Sequence, residues 1–150
     1  MDERRSATQR RIDALERLDG QGDGWLATAD PAGSPHLIAV SAAWDGAVVT
    51  IATRESSRSA RNLDGSGRAR LALGSPDDVV LLDLTVVTSA SASDRSSAIA
   101  RAFRGAVGWD PADEGDDWRY FRLRPLRIQA YRGYGERDGA DVMRDGHWLD

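Results

Sequence analysis

The chain has 150 residues, 41% of them hydrophobic and 29% charged, which suits one compact domain that needs no disulfide or metal to fold. It contains no Cys and no Lys, and its histidines are His36 and His147 alone, so thiolate nucleophiles, thiolate metal sites, Schiff-base lysines, a phosphate-loop lysine and a multi-His metal centre are all excluded or unsupported. A net charge of -4, from 24 acids against 20 arginines, argues against a dedicated nucleic-acid binder.

Residues 6–18 have helical spacing, with Ile12, Leu15 and Leu18 on one face, and predict an N-terminal helix packed on a barrel or on a partner subunit. Gly20, Gly22 and Gly24 end that pattern. Residues 25–30 then read as a strand, Asp30-Pro31-Ala32-Gly33 as a turn, residues 36–44 as a second strand, Asp45-Gly46 as a two-residue hairpin and residues 47–53 as a third strand. Residues 56–63 read as a short helix with a serine cap. Residues 68–74 alternate, with Arg68 and Arg70 outward and Ala69, Leu71 and Leu73 inward.

Residues 79–89 are apolar on both faces except at Asp83, as in a central strand or one facing a subunit interface. Asp83 reads either as a functional carboxylate or as one hydrogen-bonded at a strand edge. Residues 93–107 predict the clearest helix, capped by Ser93, with a core stripe of Ile99, Ala102, Phe103, Ala106 and Val107. The acids Asp110, Asp113, Glu114, Asp116 and Asp117 read as a solvated loop, since they lack the glycine spacing of a calcium loop. Residues 118–131 form the last long strand, in which Pro125 marks a bulge or bend at an edge. His147-Trp148 suggests a tail docked on a partner or a mobile terminus. The count is six strands with two helices beside them, a mainly β, antiparallel sheet or barrel. No segment is long and apolar enough to span a bilayer, and the charged N-terminus lacks a signal-peptide core, so a cytoplasmic location is expected.

In this order the segments resemble the pyridoxamine 5'-phosphate oxidase-like split-barrel flavoproteins. Gly24-Trp25-Leu26-Ala27-Thr28 with Gly33-Ser34-Pro35-His36-Leu37 resembles the family's opening hairpin, and Ala52-Thr53-Arg54 with residues 57–63 resembles its phosphate-side segment. Gly108-Trp109-Asp110-Pro111, residues 120–131 with Arg124-Pro125, and the tail residues 142–149 resemble its closing elements. The resemblance implies a six-stranded antiparallel split β-barrel of the FMN-binding type, dimeric, with FMN or the deazaflavin F420 in a groove at the subunit interface. It divides the chain into an N-terminal helix and linker (1–22), the barrel (23–132) and a tail packing on barrel or partner (133–150).

The residues assigned to the cofactor on this reading are His36, Ser41, Thr53, Arg54, Ser57, Arg58, Arg61, Asn62 and Trp109. The cluster Arg54, Arg58, Arg61, Arg68 and Arg70 supports an anion site, because guanidinium forks and a helix start both suit phosphate; unaided, a solvated helix face explains it equally well. Two departures stand out: Ser59 replaces a cation common in the family, and Ala39 with Ser41-Ala42-Ala43 replaces bulkier residues. His36, Trp109 and Tyr120 remain open between cofactor contacts and structural roles. The expected function is hydride transfer between FMN or F420 and a small organic substrate, the redox chemistry belonging to the cofactor. No catalytic residue is identified, Tyr120 and His36 being guesses at a proton donor. The alternative is a non-catalytic carrier, store or sensor of such a ligand; a nucleic-acid-binding barrel is disfavoured. No metal, membrane or nucleic-acid partner is expected.

Overall fold

The computed structural model describes residues 3–20 and 22–149. Its elements are α1 (Ala7–Asp19), β1 (Asp23–Ala29), β2 (Pro35–Ser41), β3 (Ala43–Trp44), β4 (Val49–Arg54), α2 (Arg58–Ser66), β5 (Arg68–Ser75), β6 (Asp78–Ser91), α3 (Ala98–Val107), β7 (Trp118–Tyr131), β8 (Asp141–Arg144) and β9 (His147–Trp148). All pairings are antiparallel, in the order β2-β1-β5-β6-β7-β4-β3, with the β8–β9 hairpin attached to β7. The inward residues Leu26, Val40, Val49, Ile51, Leu71, Leu82, Phe121, Leu123 and Ile128 share one core. β2 and β4 both contribute to that core without pairing with each other, and α2 supplies Ala60 and Leu63 to it. This is the mainly β, antiparallel split barrel that the resemblance implied.

The strand count is nine among the described residues, not six. The segment 36–44 breaks at Ala42, because β2 pairs with β1 whereas β3 pairs with β4 at the far end of the sheet order. A run of small residues carries no Gly or Pro to announce that crossing. The tail adds β8 and β9, and the described residues form three α-helices. The turn after β3 is centred on Gly46-Ala47, not Asp45-Gly46: the Asp45 N–H donates to Val48 O, and its carboxylate accepts from the N–H groups of Ala47 and Val48.

α3 starts at Ala98, capped by Ser97, four residues later than the expected cap Ser93. The Ser91, Asp94 and Ser96 side chains hydrogen-bond within residues 91–97 instead, an alternative to helix that serines and aspartates offer the backbone. Ala102, placed in the core stripe by periodicity, is exposed, whereas Ala100 and Phe103 are buried. In α1 the buried face is Arg10, Ala14 and Leu18, and Ile12 is exposed. A pattern built on apolar residues cannot see that Arg10 turns inward to donate to the carbonyls of Arg5 and Gly139.

β7 has the predicted span and the predicted bulge near Pro125, opposite the Asp83–Leu84 step of β6. It is not an edge, because β7 pairs with β6 on one side and with β4 and β8 on the other. Pro125 is tolerated at the bulge, where the β6–β7 register shifts and where neither β4, which pairs up to Leu123, nor β8, which begins pairing at Ile128, is registered with it. β6 is central, as its two-sided apolarity indicated, and Asp83 is half-buried and paired with Arg70 at 2.6 Å. That contact matches the paired-carboxylate alternative.

The sheet has two outer faces of different character. α3 covers the outer side of β4 and β7, burying Phe103 and Tyr120 beside Ala43, Ala52, Ala92 and Ala100. The outer side of β1, β2 and β5 has no such cover, and leaves Trp25 54% and Leu37 59% exposed.

Candidate functional site

The phosphate-side segment begins where β4 ends. Thr53 is buried, and its Oγ1 lies 3.0 Å from Ser57 Oγ. Ser57 caps α2 by accepting the Ala60 N–H at 3.0 Å. A helix start leaves its first N–H groups without intrahelical partners; with Ala60 satisfied, those of Arg58 and Ser59 remain to receive an acceptor. The positive end of the helix favours an anion there.

The arginines around this point differ. Arg58 is exposed and has no ion pair or side-chain hydrogen bond among the described residues. Arg54 is paired with Asp117 at 3.0 Å, and its guanidinium lies 5.2 Å from the Trp118 ring centroid. Arg61 turns back to donate to the Ser56 carbonyl at 2.7 Å. Arg68 and Arg70 are not part of the cluster: α2, nine residues and thus about 13 Å long, separates them from Arg58. The five-arginine patch of the sequence therefore contracts to Arg58, with Arg54 beside it and already neutralised.

Ser59 is 1% exposed, and its hydroxyl has no partner. It faces inward, whereas Arg58 and Arg61 on either side of it are exposed. Asn62 is buried too, donating to Thr28 Oγ1 at 3.0 Å and tying α2 to β1. His36 stands opposite Thr28 in the β1–β2 register, half-buried on the same inward face. Asn62 is thus engaged in holding α2, while His36 stays close to that seam.

The remaining residues converge on an aromatic wall. The Trp109 indole N–H donates to Ser41 Oγ at 3.2 Å, and Ser41 in turn donates to Asp23 at 3.2 Å. Trp109 meets Trp118 edge to face at 5.7 Å and Phe103 at 5.6 Å. Ser41, Trp109, Trp118 and Arg54 therefore form one continuous line from β2 to the start of α2. Sequence reasoning missed Trp118 and Asp117 as site residues: Trp118 opens β7 and Asp117 directly precedes it, and their partner Arg54, 63 residues away in the chain, leaves no local signal.

Tyr120, a guessed proton donor, is fully buried and its hydroxyl has no partner. Burial, reinforced by the nearby Asp110 charge, pushes its pKa up. No substrate reaches it, so that role is withdrawn. Asp110 also departs from expectation: it is 8% exposed and hydrogen-bonded to Arg95, not solvated. Among the described residues no group of three potential metal ligands occurs, and no helix is long and apolar enough to cross a membrane.

The family profile described as pyridoxamine 5'-phosphate oxidase matches residues 13–133. Solved structures share the fold. One described as an F420 reductase is 23% identical, with a TM-score of 0.57 over 77% of this chain and 93% of its own. A protein related to general stress protein 26, of the pyridoxinephosphate oxidase family, from Clostridium acetobutylicum is 15% identical, with a TM-score of 0.61 over 83% and 89%. A haem-binding protein from Mycobacterium smegmatis is 20% identical, with a TM-score of 0.61 over 89% of this chain and 57% of its own. No curated protein is similar enough to match.

Proposed function

The chain belongs to the pyridoxamine 5'-phosphate oxidase family, and from that premise we propose that it binds FMN or F420 and transfers a hydride to or from a small organic substrate. The observation that carries the reading is the junction of β4 and α2, where an open helix start with the unpaired Arg58 follows directly on Arg54, the end of the Arg54–Trp118–Trp109 line. The helix start and Arg58 suit an anionic tail, and Trp109 and Trp118, partly buried against the α3 cluster, leave the rest of their rings for a flat one. Arg58 and the N–H groups of Arg58 and Ser59 would hold the phosphate, with the Thr53–Ser57 hydroxyl pair adjacent. Trp118 and Trp109 would wall the ring. When bound, the cofactor supplies the hydride chemistry, and the protein positions it and excludes water. His36 and Asn62 act at most at the inner seam, and Arg61 is a minor contributor. We further assign a cytoplasmic, homodimeric protein, the bare face with Trp25 and Leu37 receiving the second copy.

A second reading, the non-catalytic carrier or sensor, is favoured by the sealing of Tyr120, which removes one of the two side chains considered as proton donors. Fluorescence titration with FMN and with F420, and absorbance titration with haemin, separates the possibilities. Saturation by FMN or F420 is expected, with Arg58→Ala weakening affinity about tenfold, the equivalent of about 1.4 kcal/mol. If neither FMN nor F420 saturates, the flavin and deazaflavin readings fail together. Tight binding without turnover of the reduced cofactor across a broad acceptor panel selects the carrier.

A further inference from the structure

We propose that Arg95 is a positioning residue: acting through Asp110, it holds the Trp109 indole on Ser41 and so fixes one wall of the groove. The inference rests on the cofactor reading for its function, although the latch is visible in the fold alone.

Arg95 precedes α3, whereas the residues it grips follow the helix. Its Nη1 reaches Asp110 Oδ2 at 3.0 Å and Asp113 Oδ1 at 2.7 Å, and its Nη2 donates to the Ala112 carbonyl at 3.2 Å. Arg104, in the last turn of α3, adds a second guanidinium 3.6 Å from Asp110 Oδ2 and donates to the Arg95 carbonyl at 2.8 Å. The other Asp110 oxygen accepts the Ala112 N–H and caps the short 3-10 turn Pro111–Asp113. Both oxygens of a nearly buried carboxylate are therefore committed, one to the loop and one to the two arginines.

Trp109 is the neighbour of Asp110 in the chain and has a single polar group, the indole N–H bonded to Ser41. On its other side Gly108 ends α3 with φ of 81°, a conformation that favours glycine. The Trp109 backbone is thus set from both directions, by a helix stop and by the Asp110 anchor. Arg95 itself is half-exposed, with 53% of its side chain accessible, so replacing it removes little packing. A forked guanidinium serving three acceptors on one loop is a geometry that Lys does not reproduce.

The test uses the full chain with labelled indole nitrogens, the Trp109 signal being assigned through Trp109→Phe. Arg95→Ala is expected to speed exchange of the Trp109 indole proton about tenfold, the scale of one lost hydrogen bond, and to weaken FMN or F420 binding severalfold with the unfolding transition nearly in place. Arg95→Lys should recover only part of either effect. Unchanged indole exchange in Arg95→Ala overturns the latch, and so does a global loss of structure, which would make Arg95 a stability element. A released indole with unaltered cofactor affinity also overturns the proposal, because Trp109 would then not shape the groove. If the unmodified chain binds neither cofactor, the functional reading fails on its own account, and the indole exchange still reports whether the latch exists.

Discussion

α1 and α3 lie on the same barrel, yet they are attached by opposite chemistries. α3 presses Phe103 against Tyr120 at 5.2 Å and against Trp109 at 5.6 Å, on a floor of small residues from β3 and β4. α1 buries little beyond Ala14 and Leu18, and is held instead by charge. Arg5 bridges Glu136 at 2.7 Å and Asp13 at 2.9 Å, Arg17 and Arg132 share Asp78, and Arg10 donates to Gly139 O at 2.7 Å. Area burial is indifferent to pH, whereas a buried ion pair holds only while both partners stay ionised. The two helices should therefore come loose under different conditions, and only α3 packs against Trp109.

The sharpest way to break this comparison is Phe103→Ala. Truncating a fully buried aromatic should cost about 4 kcal/mol, read from urea unfolding; a loss below about 1 kcal/mol would show that α3 is no true core layer. Glu136→Gln ranks next. Removing one partner of a buried pair should loosen α1 by about 3 kcal/mol, visible as faster amide exchange across Ala7–Asp19 with α3 protected as before. Equal acceleration in both helices would mean that they open as one unit.

Acid provides a milder version of the same experiment. The hydrogen bond from Arg5 lowers the Glu136 carboxyl from 4.5 to about 2. A depressed carboxylate gives its full stabilisation above the unfolded value and loses it as pH falls through the folded one. Between pH 4.5 and about 2, α1 should therefore lose protection progressively, by about 2 kcal/mol at pH 3. A flat α1 profile over that window contradicts the ionic attachment. The smallest effect on the single chain is expected at the bare face: Leu37→Glu should change its stability by about 0.5 kcal/mol or less, while shifting the sedimentation coefficient from dimer to monomer. A dimer that survives Leu37→Glu places the interface elsewhere.

Much of the barrel was legible in the residues. The alternation of Arg68, Ala69, Arg70 and Leu71 gave β5 its faces correctly, and the Pro125 irregularity in β7 was read in its place. Legibility failed where polar residues do structural work. Arg10 and Asp110 are buried because particular carbonyls and guanidinia meet them, and no periodicity encodes those partners. The candidate site was legible as a segment and misread in its members. A serine caps the helix as expected, and it is Ser57, but Arg54 and Arg61 are engaged elsewhere and Ser59 points inward.

The sequence by itself determined the chemistry denied to this protein, through its missing Cys and Lys, and it determined the main strands and helices, though not the strand count, and the family resemblance. These follow from local preferences and side-chain period, which act over a few residues. Only the tertiary structure decided which arginine stays free, that Tyr120 is sealed away, and that Trp109, Trp118 and Arg54 form one line. Those outcomes depend on contacts between segments far apart in the chain, such as Arg54 with Asp117 and Ser41 with Trp109, and a charge or an aromatic ring carries no local mark of the partner it will meet.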